Sequence, residues 1–117
     1  MAATLADPAV IDYSAAKAAL TNTAKSLSKQ LGPNGIRVNT ISPEPVATDL
    51  WLGDAGVAHA TGGNADSVAE SAAAASVTGR FSRLDEIANL AVFLASPRAA
   101  NITSCDFAID GGLLTTT

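Results

Sequence analysis

Two short segments constrain the fold of this chain more than anything else in it. IRVNTIS, residues 36–42, is rich in β-branched residues and bounded by Gly35 and Pro43. CDFAID, residues 105–110, alternates Phe107 and Ile109 against Asp106 and Asp110 before Gly111-Gly112 ends it. Each reads as a strand. A helical pattern stands between them, so the succession is strand, helix, strand: a parallel pair with a right-handed crossover, the repeating unit of doubly wound α/β folds. Two parallel strands leave both edges unpaired and both faces in need of cover, and no internal repeat supplies more. The expected class is therefore α/β with part of its sheet wanting.

Two main helices accompany the strands. Over 13–31, Ala16, Leu20, Ala24, Leu27 and Leu31 fall on one helical stripe. Asp12 stands where it can cap the free N–H groups, and Gly32-Pro33-Asn34-Gly35 supplies a left-handed terminator and a turn. The second helix is predicted over 85–96. Ser82-Arg83-Leu84-Asp85 has the form of a capping box with Asp in the acid place, and Pro97 stops the run. Nearly every face of that helix is apolar, so it expects neighbours on several sides. Residues 43–80 form a loop and flap. The part from 51 onward is rich in Ala, Gly and Ser, broken at Gly53/Gly56 and Gly62-Gly63, with a short helix between Ala65 and Ala75. A connection this long inside a compact domain reads as functional rather than as a linker.

Composition excludes several classes. At 117 residues and 48% apolar the chain fits one modest domain with a packed core. Seven basic residues against eleven acidic give a net charge of -4, with no Lys/Arg cluster to follow a phosphate backbone or an anionic membrane. Cys105 is the single cysteine and His59 the single histidine, so neither an internal disulfide nor a zinc site is expected. Cys105 reads as a small buried strand residue and His59 as a loop or surface residue. No apolar run reaches the ~18 residues of a membrane span, and no secretion signal opens the chain, which reads as soluble and cytoplasmic.

The chemistry lies in DYSAAKAAL, residues 12–20. Residues i and i+4 of a helix share a face, so Tyr13 and Lys17 meet. A phenol with its ordinary pKa of ~10 carries protons poorly at neutral pH. A neighbouring ammonium favours the phenolate. Such a pair suits a general acid for a carbonyl being reduced, or a general base for an alcohol being oxidised. Read alone, the pair could equally be an ordinary exposed one.

Tyr13-Ser14-Ala15-Ala16-Lys17 is followed by GIRVNTISPEPVATDL, then by GRFSRLDEIANLAVFLAS and NITSCDFAIDGG. This ordered string resembles the C-terminal half of the short-chain dehydrogenase/reductase family over nearly the whole chain. The resemblance implies the C-terminal portion of a doubly wound Rossmann-type parallel sheet. It also implies an NAD(P)-dependent oxidoreductase that interconverts a ketone and a secondary alcohol by hydride transfer. By it, Tyr13 is the catalytic acid/base, and Lys17 favours the phenolate and hydrogen-bonds the nicotinamide ribose. Pro43 to Thr48, Glu44 included, line the nicotinamide, with the Val46 backbone and the Thr48 hydroxyl reaching the carboxamide. Trp51 and Leu52 begin the substrate flap. Read without the resemblance, Thr48-Asp49 could cap a short helix and Trp51 could be core. The implied cofactor is NAD or NADP, with NADP preferred, and the implied substrate is a small carbonyl or alcohol. A second copy of the chain, or a full-length relative, is the implied partner, through the tyrosine helix and the final helix and strand.

The family pattern is not matched everywhere. Its Thr-Gly-x-x-x-Gly-x-Gly turn, which cradles cofactor phosphates, and its Asn-Asn-Ala-Gly strand end find no counterpart here. Gly62-Gly63 follows no strand and is rejected as that turn. By the resemblance the family's catalytic serine would fall one position before Met1, so Tyr13 is expected to lack its carbonyl-polarising partner unless another chain provides one. Glu44, Ser82 and Ser104 stand where the family often has glycine. At Glu44 a strained backbone and a negative charge beside the nicotinamide are expected. Three readings follow: an oxidoreductase whose isolated chain is inactive and binds cofactor poorly, a non-catalytic assembly module, or the product of a mis-assigned start or decayed gene.

Overall fold

Helix α1, Ile11–Leu31, follows a 3-10 turn at Pro8–Val10. That turn feeds the helix early, so Asp12 lies inside its first turn instead of capping it, and its carboxylate accepts the Tyr13 N–H at 2.9 Å. A negative charge there suits the helix dipole. The helix leaves through a second 3-10 turn, Gly32–Asn34. Gly32 is right-handed (φ -52), and the left-handed position is Gly35 (φ 74), whose N–H closes onto the Gly32 carbonyl at 2.9 Å. The structure, a computed structural model, describes residues 8–60 and 64–114.

The covered face of α1 takes only part of the apolar stripe, Ala24 and Leu31, and is otherwise lined by hydroxyls. Ser14, Thr21, Ala24, Ser28 and Leu31 are covered, whereas Leu20 is 57% exposed and Leu27 40%. Two of its hydroxyls turn back onto their own helix, Thr21 Oγ1 donating to the Lys17 carbonyl at 3.2 Å and Ser28 Oγ to the Lys25 carbonyl at 2.8 Å, whereas Ser14 Oγ is buried without a hydrogen-bond partner among the described residues.

The chain divides into two compact units, one of residues up to 42 with 91–108, the other of 43–90 with the residues from 109. The strands are β1, Thr40–Pro43, and β2, Asp106–Ile109, paired in a two-stranded sheet. Their register is parallel: Thr40 N–H donates to the Cys105 carbonyl at 3.0 Å and Glu44 N–H to the Ile109 carbonyl at 2.9 Å. On one face the Asp106 carboxylate accepts the hydroxyls of Thr40 (2.6 Å) and Ser42 (2.9 Å).

Residues 36–39, expected as strand, are not. Side chains take the bonds that a ladder would make: Val38 N–H donates to Thr103 Oγ1 and Asn39 Nδ2 to the Ile102 carbonyl. Arg37 reaches further, its guanidinium donating to the carbonyls of Leu94 (2.6 Å), Ser96 (3.3 Å) and Ile102 (3.3 Å). It thereby closes the C-terminal end of a helix whose last carbonyls have no intrahelical partner. Leu94 and Ala99 are buried in the same unit. Cys105 is exposed, contrary to expectation, because it precedes β2 at a position that faces outward; its thiol donates to the Thr103 carbonyl.

In the other unit the flap folds on itself. Here α2, Asp49–Leu52, α3, Val57–Ala60, and α4, Ala65–Ala74, pack against one another. A Cβ at Gly53 would lie 2.6 Å from the Asp49 carbonyl oxygen, so the tight turn after α2 requires glycine. Asn64 caps α4, its Oδ1 accepting the Asp66 N–H at 2.9 Å. Gly62-Gly63 lies outside the described residues, and His59 is exposed on α3.

Helix α5, Leu84–Ala95, opens with the acid half of a capping box, displaced by one residue. The acid is Glu86, whose Oε2 accepts the Arg83 N–H at 2.8 Å, while Asp85 pairs with the Arg83 guanidinium. The reason is that Ser82, the expected cap, is buried in a parallel bridge to Val46. Beyond β2, the Asp110 carboxylate accepts the N–H groups of Leu114 and Gly112, which hold it below the usual carboxylate range. Gly111 (φ 60) packs so closely that a Cβ there would lie 2.5 Å from Thr78 Oγ1.

Candidate active site

The helical spacing of Tyr13 and Lys17 brings them together as the sequence requires. The Lys17 ammonium lies 5.3 Å from the centroid of the Tyr13 ring, on a face where Tyr13 is 50% exposed. An ammonium over a ring face is an electrostatic attraction, and it keeps the positive charge within reach of the phenol. Both groups are donors on one accessible helix face.

The second cluster starts where β1 ends. Glu44 extends the ladder by one bond through its N–H to Ile109, and its φ is not positive. The strain expected at Glu44 is therefore absent, because an extended ladder residue needs no glycine. It sits instead at Ser104, whose φ of 64 is the one positive value among described residues other than glycine. Pro45 is buried. Ser82 N–H donates to its carbonyl at 2.8 Å, and Ala47 N–H donates to the Ser82 carbonyl at 3.0 Å.

Thr48 occupies the N-cap position of α2, yet its hydroxyl makes no cap bond and donates to the Val46 carbonyl at 3.4 Å. Its carbonyl accepts the N–H groups of Trp51 and Leu52. Trp51 is half-buried and meets Phe81, while Leu52 is exposed. The reading of Trp51 as core is thus replaced by a contact within the flap.

Tyr13 and Lys17 meet in one unit, while Pro43, Glu44, Val46, Thr48, Trp51 and Leu52 lie in the other, where Thr48 is bonded to Trp51 and Leu52 through its carbonyl. Sequence reasoning missed Phe81. The available signal was that it is the one phenylalanine between Trp51 and α5.

Next to Phe81, Arg80 forms a two-pronged pair with Glu86, at 2.9 Å (Nη1 to Oε2) and 2.7 Å (Nη2 to Oε1). The Arg80 side chain, then the Arg83 N–H, hold the Glu86 carboxyl at about 2. The Arg83 guanidinium likewise holds Asp85 below the usual carboxylate range. Among the described residues, no group of three His, Cys, Asp or Glu could hold a metal ion, and no helix is long and apolar enough to cross a membrane.

A family model described as enoyl-(acyl carrier protein) reductase matches residues 1–114. D-threitol dehydrogenase of Mycolicibacterium smegmatis is 41% identical over 115 residues, 95% of this chain and 39% of that protein. Inactive 2-(S)-hydroxypropyl-CoM dehydrogenase 2 of Xanthobacter autotrophicus is 36% identical over 91% of this chain and 44% of its own length. Among solved structures, an NADPH dependent reductase involved in bacilysin biosynthesis superposes with a TM-score of 0.90 at 31% identity, covering 100% of this chain and 45% of that one. The chain thus spans less than half the length of the relatives it matches.

Proposed function

The chain belongs to the short-chain dehydrogenase/reductase family, and on that premise we propose that its residues carry the acid–base centre of an NAD(P)-dependent oxidoreductase acting on a ketone or secondary alcohol. The observation that carries this reading is the Lys17 ammonium 5.3 Å from the Tyr13 ring on one accessible helix face. Bound nicotinamide cofactor supplies or accepts the hydride. Tyr13 delivers its hydroxyl proton to the carbonyl oxygen as the alcohol forms, and takes a proton from the alcohol in the reverse direction. Lys17 keeps its ammonium beside the Tyr13 ring while the proton moves.

Pro43, Glu44, Val46 and Thr48 line the nicotinamide in this reading. The Thr48 hydroxyl turns from its long bond with the Val46 carbonyl to the carboxamide. NADP is the preferred cofactor, supported by the NADPH dependent reductase among the similar structures. Calorimetric titration of the purified chain with NADPH and NADH tests the reading. Binding that weakens on Lys17→Ala supports it, and the absence of binding to either nucleotide counts against it.

A second reading is favoured by the apolar surface of the helices: the chain acts in assembly, pairing with a second copy or with a full-length relative. Leu20 and Ile11 on α1 are exposed, as are Phe93 and, at 70%, Val92 on α5. Apolar side chains on two helices at this exposure form surface that association would cover. Sedimentation of the chain as a folded, monodisperse monomer across the micromolar range would rule this reading out.

A further inference from the structure

Phe81 lies in the GRFSRLDEIANLAVFLAS segment and takes no part in the acid–base pair, yet it is a ring against which Trp51 rests. The centroids are 5.6 Å apart and the planes meet at 73°, an edge-to-face arrangement in which the positive edge of one ring meets the negative face of the other. The main chain joins the same two segments beside them. Ser82 N–H donates to the Pro45 carbonyl, and Ala47 N–H to the Ser82 carbonyl, on either side of the Val46–Ser82 bridge. The chain therefore leaves for the flap and returns from it through one fastened stem, tied by backbone bonds and by a ring pair.

Trp51 sits on α2, a helix of four residues. One turn fixes its dihedrals for very few hydrogen bonds and has little hold of its own. The turn's hydroxyl cap is missing too, since Thr48 Oγ1 points its donor at Val46. The orientation of the indole therefore draws on contacts outside the turn: α3 and α4 pack against α2, and the Phe81 ring meets the indole itself.

We propose that Phe81 is a positioning residue that sets the Trp51 ring, and with it the first turn of the substrate flap, at this stem. The consequence for substrate rests on the proposed function, which places Trp51 beside the substrate; the ring contact itself does not. Phe81 touches no reacting atom, so in a turning-over enzyme its loss raises KM and leaves kcat nearly unchanged.

Trp51 is the single tryptophan, so tryptophan fluorescence reads this residue alone. The experiment compares the full chain with Phe81→Ala, Phe81→Leu and Phe81→Tyr by acrylamide quenching and near-ultraviolet circular dichroism. Phe81→Leu retains apolar volume without a ring, and serves if Phe81→Ala loses its far-ultraviolet signal. The expected result is a rise of about twofold in the quenching constant and loss of the tryptophan band when the ring is removed, with both restored in Phe81→Tyr. Unchanged quenching and an unchanged band in a folded Phe81→Leu or Phe81→Ala chain would overturn the proposal. Calorimetry with NADPH on the same samples is a separate readout. Its failure would remove the oxidoreductase reading while the fluorescence result still decides the role of Phe81.

Discussion

Ser104 holds its backbone N–H 2.8 Å from the Val38 carbonyl while carrying a left-handed φ of 64. The bond ties the turn before β2 to the segment before β1, and the left-handed conformation costs a residue with a Cβ about 1–2 kcal/mol. Glycine would remove that cost but loses more freedom on folding. Ser104→Gly is expected to stabilise the chain by about 0.5–1 kcal/mol net, and Ser104→Val to destabilise it by more. Thermal and urea unfolding of the three chains measure both changes, and a less stable Ser104→Gly chain would refute the strain.

Glu86 gives the amino end of α5 a pH dependence whose sign is determined. Its carboxyl is held at about 2 in the folded chain by Arg80 and by the Arg83 N–H, against an ordinary glutamate value of ~4.3 when unfolded. A depressed folded value means that the contribution is fully present above the unfolded value and is lost as pH falls toward the folded one. The unfolding midpoints of the native chain and of Glu86→Gln should therefore differ at neutral pH and converge as the pH is lowered from about 5 to 2. A constant gap over that range would contradict the assignment.

Arg37 is not replaceable by another cation. Its planar fork reaches the carbonyls of Leu94, Ser96 and Ile102 together, which a single ammonium on a flexible stem cannot do. Arg37→Lys should cost about 1–2 kcal/mol in chemical unfolding, and Arg37→Met at least as much, because part-buried carbonyls lose their donors. Retention of full stability by the lysine variant would show that the fork is dispensable.

Tyr13 is half exposed, so its loss should be felt in chemistry more than in folding. Where turnover of a carbonyl substrate with NADPH is observed, Tyr13→Phe should lower it by about 10²–10⁴, the usual contribution of a positioned general acid. The unfolding midpoint should move little. Equal turnover in the phenylalanine variant would take the proton-transfer role from Tyr13.

Local spacing carried much of this protein. The Tyr13–Lys17 pair, the extents of α1 and α5 within a residue or two, and the presence of a strand in each of the two segments follow from periodicities of 3.6 and 2 and from the residues that end them. Those are properties of neighbouring residues, so the sequence determined them alone. The tertiary structure decided whatever depends on residues far apart in the chain. Covering α1 on its serine and threonine side left Leu20 and Leu27 outside the packed face. Pairing of Ser82 with Val46 moved the capping box from Asp85 to Glu86. Thr103 and Asn39 took the bonds that IRVN would have made as strand, and β2 began beyond Cys105, leaving its thiol exposed. The left-handed turn fell on Ser104 and not on Glu44, and Phe81 met Trp51 across thirty residues of flap. In these cases contacts between distant segments outweighed local preferences of about 1–2 kcal/mol or less.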